Sequence, residues 1–253
     1  MLNAILSGKS GTLSQDLKKG TSWRTLFKGS EDLLTATIFE RLSYLPDERF
    51  LEILADTFSF HIRAYKAGSI KLETIEFWPR WEDVTSHAYI VEPDVYMRFL
   101  FEEREQVMDL IIEAKPFDTG TLQYKTQWER QILSYAAIGN ELDEPIAGVK
   151  FLALGGLGTD PRRIFSKLEK EFFESVDQNL LPQNLTIKGC SWSALLRVCE
   201  SLKNLSSFEA RVIADILESL SLSGYRKRYN LGDLNTSLSH QDLDVAMHRI
   251  KER

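Results

Sequence analysis

Two short clusters carry residue types that do chemistry: Glu92-Pro93-Asp94, and nineteen residues after Asp94, Glu113-Ala114-Lys115 at the end of the apolar run Val107 to Ile112. In a strand, alternate side chains share a face, so Glu113 and Lys115 project together while Ala114 turns the other way and offers its carbonyl as an oxygen ligand. Asp94 to Phe101 reads as a second strand, and Glu102-Glu103-Arg104-Glu105 as the connection that returns the chain antiparallel beside it. Such a hairpin brings Asp94 and Glu113 to one end. Mg²⁺ prefers oxygen ligands, keeps several waters and typically takes one or two carboxylates together with substrate phosphate. An ammonium beside it orients the attacking water or helps it lose its proton, by stabilising the hydroxide, and stabilises charge building on phosphorus. The chemistry implied is metal-dependent phosphodiester hydrolysis without a covalent intermediate.

These groups need elements to hold them. Ser30 suits a helix N-cap, Glu31 and Asp32 favour its first turn, and Leu34, Ile38, Leu42 and Leu45 then recur on one face. Glu31 falls on that stripe, whereas Glu40 lies on roughly the opposite side. A second helix is expected over Asp47 to Lys66, with Leu51, Leu54, Phe58, Ile62 and Tyr65 buried, and a first strand with its turn over Ile70 to Trp81. Trp78 and Trp81 there suit closing a sheet edge better than stacking bases. Pro116 to Gly120 reads as a turn, followed by a helix carrying Trp128, Ile132 and Tyr135 beside Gln127 and Gln131. Gly148 to Leu154 is short, apolar and bounded by glycine, as a central strand should be.

Pro93-Asp94 with Glu113-x-Lys115, in this order of helix, hairpin, strand, helix and strand, resembles the PD-(D/E)xK or restriction-endonuclease-like superfamily over residues 30–155. The resemblance implies an α/β fold with a mixed central β-sheet flanked by helices. It implies that Asp94, Glu113 and the Ala114 carbonyl bind Mg²⁺ or Mn²⁺, that Lys115 positions the nucleophile and that Glu31 assists at the metal. Gln131, in a run like the family's Q-x-x-x-Y helix, supports the site, with Gln127 as the alternate. DNA is the implied substrate, more often than RNA. Relatives of this build resemble prokaryotic restriction, antiviral defence or mobile-element nucleases, frequently working with an ATPase or helicase partner and often as homodimers. The alternative is a non-catalytic module that keeps the fold to bind nucleic acid or a partner protein; intact Asp94, Glu113 and Lys115 argue against it.

At 253 residues and 43% hydrophobic, the chain can bury a sizeable core. Its net charge of −6 lacks the basic footprint of a protein that grips DNA alone. The imbalance is local, because residues 30–155 hold twenty-three acidic against twelve basic side chains and 1–29 hold one against five. Residues 1–29 read as a basic arm; Gly8-Lys9-Ser10 within it lacks the glycine five residues upstream that a phosphate loop requires. Cys190 and Cys199 have no metal-ligand spacing, and the four histidines suggest no zinc site. With no signal peptide or membrane span legible, a soluble, cytoplasmic protein is expected. Residues 156–253 read as a mainly helical extension, with helices at Pro161 to Val176, Trp192 to Leu202 and Phe208 to Leu222. Gly155-Gly156-Leu157-Gly158 is taken as a turn without catalytic role, Tyr225 to Tyr229 as the candidate nucleic-acid contact, and Asp242 and Asp244 as surface on a last helix.

Overall fold

In the computed structural model, which describes residues 30–62, 64–85, 90–139 and 146–226, helix α1 (Glu31–Leu42) starts where Ser30 Oγ accepts a hydrogen bond from the Leu33 amide at 3.3 Å. The expected arm over 1–29, the Lys227 to Tyr229 end of the basic aromatic run, and Asp242 and Asp244 lie outside those residues. Leu34, Ile38 and Leu42 face the core, as the periodicity requires. Helix α2 (Asp47–Phe58) stops eight residues short of the expected Lys66. Ser59 enters the left-handed region at φ 55° and its N–H closes on the Ala55 carbonyl; Ile62 and Tyr65 still pack on the core, but from outside the helix.

Strand β1 (Ile70–Phe77) is followed by the expected turn, which begins at Trp78, where φ is 50° and the pleat breaks. Trp81 therefore belongs to a separate ribbon, β2 (Trp81–Glu82) paired with β3 (Ile90–Val91). Asp83, fully buried, ties this ribbon down by accepting from Arg130 Nε at 2.8 Å and from the Thr85 amide at 2.9 Å. The expected hairpin is present as β4 (Val95–Phe101), a single 3₁₀ turn at Glu102–Arg104, and β5 (Gln106–Ala114), in register from Val95 opposite Ile112 to Phe101 opposite Gln106. The chain continues through α3 (Lys125–Gly139), β6 (Ile146–Leu154), α4 (Pro161–Ser175), β7 (Leu185–Cys190), α5 (Trp192–Ser201) and α6 (Ser207–Leu222).

The main sheet runs β1-β4-β5-β6-β7, antiparallel through β5 and parallel from β5 to β7. Parallel neighbours need crossovers, and α3 and α4 supply them. Those two helices cover one face through Trp128, Ile132 and Phe172, packed on Ile111, Phe151 and Ile187. Helices α1, α2, α5 and α6 cover the other, where Ile38, Phe50, Leu195 and Ile216 meet Val95, Met97, Phe99 and Leu110. The fold is therefore α/β with a mixed five-stranded sheet between helical layers. Strand β7 joins the sheet from within the mainly helical residues 156–226, and the α5 and α6 side chains share one apolar core with α1 and α2. Among the described residues no helix is long and apolar enough to cross a membrane.

Candidate active site

Period two along β5 sends Leu110, Ile112 and Ala114 to one face and Asp109, Ile111 and Glu113 to the other. The two acids on that second face have different surroundings. Asp109 lies opposite Arg98 of β4, bonded to Nε and Nη2 at 2.8 Å each, and accepts from the Tyr135 hydroxyl, so its charge is matched within the sheet. Glu113, 1% exposed, sits at the strand's end where several elements converge. From α3, Gln127 Nε2 donates to Glu113 Oε1 at 2.7 Å and Gln131 Nε2 to Oε2 at 2.6 Å. The preferred and alternate glutamines of the sequence reading thus both reach the same carboxylate, one helical turn apart. Lys115 Nζ donates to Glu113 Oε1 and stands 3.5 Å from Glu31 Oε1 at the start of α1. Glu40 is instead exposed and accepts from the Tyr44 hydroxyl at 2.7 Å, so Glu31 is the acid that the fold brings to Lys115. Asp94, buried just before β4, accepts from the Ala114 amide through Oδ2 at 2.7 Å, while its own amide bonds the Ile112 carbonyl.

Other parts of the assembly were not legible as site residues. Gln123, in the loop before α3, is buried; its Nε2 donates to the Glu113 carbonyl at 3.0 Å and its Oε1 accepts from Trp128 Nε1 at 2.9 Å. Trp192 Nε1 donates to the Lys115 carbonyl at 2.9 Å, and the Lys115 amide bonds the Leu154 carbonyl at 2.8 Å. The Gly155-Gly156 pair is a turn, as read, but also a close approach. A Cβ at Gly155, where φ is 70°, would lie 2.3 Å from the Lys115 carbonyl oxygen and 2.7 Å from Trp192 Nε1; one at Gly156 would lie 2.6 Å from Lys115 Cβ. Gly155→Ala is expected to cost about 2–3 kcal/mol, the left-handed backbone penalty plus the overlap. Thermal unfolding together with cleavage kinetics checks this: both should fall, because the collision is with the backbone that carries Lys115.

The electrostatics follow from three carboxyls sharing one ammonium. Burial, then the charge of Glu113, pushes the Asp94 carboxyl up to about 8, against the opposing pull of the Ala114 N–H. Burial also raises Glu31 and Glu113, with Lys115 working in the other direction. Burial pulls Lys115 down, but Glu113, Glu31 and Asp94 outweigh it and hold its pKa above the ordinary lysine value. Lys115 is therefore an ammonium at neutral pH in this arrangement. It is suited to orienting groups and stabilising negative charge, rather than to accepting a proton from water.

Excess buried negative charge is what a bound cation would relieve. Among the described residues no three His, Cys, Asp or Glu side chains are gathered to cage a metal, so an all-protein site is not what this cluster offers. Asp94 and Glu113 offer two hard oxygen ligands, the number Mg²⁺ commonly takes while keeping waters. Gln131 Oε1, buried without a hydrogen-bond partner among the described residues, is a spare acceptor for such a water, and a cavity of about 240 Å³ lined by Gln127, Gln131, Glu92 and Arg130 opens beside it. The donor set fits a hydrated divalent ion.

Trp81 packs on Tyr96 and Tyr135, with ring centroids 5.7 and 6.0 Å away, as an aromatic closing the sheet, whereas Trp78 is exposed. Tyr225, expected as a nucleic-acid contact, is instead buried against Trp192, with ring centroids 6.1 Å apart, while Arg226 is exposed.

No family model matches the chain, and no solved structure matches it. A curated protein of Pasteurella multocida (strain Pm70), "Uncharacterized protein PM0110", is 34% identical over 230 residues, covering 89% of this chain and 81% of that protein.

Proposed function

We propose that this chain, which belongs to the same family as the Pasteurella multocida protein PM0110, is a metal-dependent nuclease built on a restriction-endonuclease-like core. One observation carries the reading: Asp94, Glu113, Lys115 and Glu31, drawn from three separate parts of the fold, meet at the end of β5, where both oxygens of Glu113 are fixed by Gln127 and Gln131. A purely structural carboxylate on this strand is neutralised by one arginine, as Asp109 is. The Glu113 cluster keeps its charge imbalance, and the two glutamines that hold Glu113 line a cavity.

The proposed reaction adds water across one P–O bond of a phosphodiester, leaving a phosphate monoester on one end and a hydroxyl on the other. Asp94 and Glu113 would hold Mg²⁺ or Mn²⁺, with the Ala114 carbonyl as a third oxygen; the bound ion supplies Lewis-acid polarisation of the phosphoryl oxygen and a more acidic water. Gln127 and Gln131 stop the Glu113 carboxylate from rotating, and Gln123 fixes its carbonyl. Lys115 places a positive charge where negative charge develops on phosphorus, and Glu31 holds the ammonium in reach. DNA is the proposed substrate. With a net charge of −6, a partner of ATPase or helicase type is proposed to help deliver it. Incubating the chain with plasmid and single-stranded DNA in Mg²⁺, Mn²⁺ or EDTA tests the reading; cleavage that survives EDTA would contradict it.

A linked effect appears in stability. The folded-state pKa of Asp94 lies above its unfolded value, so this carboxyl favours the metal-free fold at low pH and loses that contribution as pH rises toward 8. A cation must displace its proton below that pH. Mg²⁺ at a hundredfold excess over its pH 8 Kd is therefore expected to raise the melting temperature by about 5–11 °C at pH 8 and by less at pH 6. Asp94→Asn should remove the shift, as read by differential scanning fluorimetry.

A further inference from the structure

Two adjoining cavities of about 790 and 420 Å³ share Thr159, Pro161, Ser191 and Arg197 and so form one cleft between the N-terminal ends of α4 and α5. Four cationic side chains line it: Arg162, Lys188, Arg197 and Arg226. Among the described residues none of the four is in an ion pair, whereas Arg41, Arg49, Arg98 and Arg130 all are. Of the acids in the lining, Asp118 is committed to the start of α5, taking the Trp192 and Ser193 amides and the Ser193 hydroxyl, and Asp160 caps α4 through the Arg163 amide. With Asp56 and Glu200 the lining holds four carboxylates against the four cations, two of the carboxylates being bonded to amides at helix N-termini. The cleft shares packing with the candidate active site through the buried Trp192. Trp192, whose amide Asp118 holds, bonds the Lys115 carbonyl, and Tyr225, next to Arg226, packs on the same indole.

We propose that this cleft is the phosphate-backbone channel of the nuclease, holding a nucleic-acid strand by Arg162, Lys188, Arg197 and Arg226 as it leaves the site at Lys115. The inference rests on the nuclease reading and gives it a substrate-holding surface. Cations outside any ion pair in a groove fit a polyanion, the N-termini of α4 and α5 being already held by Asp160 and Asp118. The contacts are to phosphates and carry no sequence preference.

The test is binding of a fluorescein-labelled 30-base-pair DNA duplex, and of its single strand, by the full chain in EDTA between 50 and 200 mM KCl. A variant with Arg162, Lys188, Arg197 and Arg226 all changed to Gln should bind at least tenfold more weakly, with a salt slope shallower by about 3 to 4, since each phosphate contact contributes about one. Changing the three arginines to Lys should retain the wild-type slope, and equal melting temperatures guard against misfolding. Wild-type affinity and slope in the Gln variant, or no binding of either DNA by the wild type, would overturn the channel. Hydrolysis of thymidine 5′-p-nitrophenyl phosphate, too small to span the cleft, separates the two readings. It should be unchanged in the Gln variant and lost in Lys115→Ala; a cleft that binds DNA beside a site that hydrolyses nothing would leave the channel standing and remove the nuclease. An acidic protein as the true occupant would appear as a DNA affinity indifferent to the four substitutions.

Discussion

Lys115→Ala is expected to lower the cleavage rate by about 10²–10³-fold, the range typical of removing one preorganised group that stabilises transition-state charge. The side chain is held by Glu113 and Glu31, and three carboxyls keep it protonated, so it presents a fixed ammonium that water cannot replace at equal cost. The fold should survive the substitution. The Trp192 contact uses the Lys115 carbonyl and the strand-end contact its amide, both untouched by truncating the side chain. The carboxyls left behind already hold their protons more tightly than usual and can neutralise themselves. Single-turnover kinetics with circular dichroism on the same samples checks both halves. A variant that cleaves at the wild-type rate removes Lys115 from the chemistry.

Asp109→Ala should have the opposite profile, a large loss of stability without a specific loss of turnover. Asp109 is fully buried, takes both Arg98 nitrogens at 2.8 Å and accepts from Tyr135; truncating it strands a guanidinium that is 12% exposed together with a buried hydroxyl. Breaking one side of such a pair costs about 3–5 kcal/mol, or about 6–20 °C in Tm for a chain of this size. Replacing both partners, as in Arg98→Met with Asp109→Leu, should recover much of the loss, because desolvation of the two charges disappears with them. Thermal melts of the single and double variants decide this, and cleavage measured below the lowered Tm should stay close to wild type. Asp109 and Glu113 lie four residues apart on one face of one strand, so the contrast isolates surroundings from position.

Much of this site could be read from local spacing. Asp94, Glu113 and Lys115 sit on a hairpin whose alternation and charged turn are short-range features, and Glu31 was separable from Glu40 because helical period alone puts them on different sides. The glutamines were found for the same reason, though period could not choose between residues that both prove to bond Glu113. What escaped depends on distant partners or on single backbone angles. Ser59 ends α2 by adopting positive φ where the apolar pattern runs on. Strand β7 is six residues long, with Lys188 and Gly189 interrupting its apolar pattern, and Gly189 is needed because a Cβ would lie 2.3 Å from Phe165 Cδ2. Gln123 lies in a loop with no period to mark it. Tyr225 looked like a binding aromatic because its neighbours are basic, and only the position of Trp192 reveals that it is packed inside.

The most direct test of the nuclease assignment is nicking of supercoiled plasmid in Mg²⁺, with wild type and Glu113→Gln purified in parallel and EDTA as the control. Wild-type nicking that EDTA abolishes, absent in a Glu113→Gln variant of unchanged fold, is the expected result. Equal nicking by both proteins would contradict it.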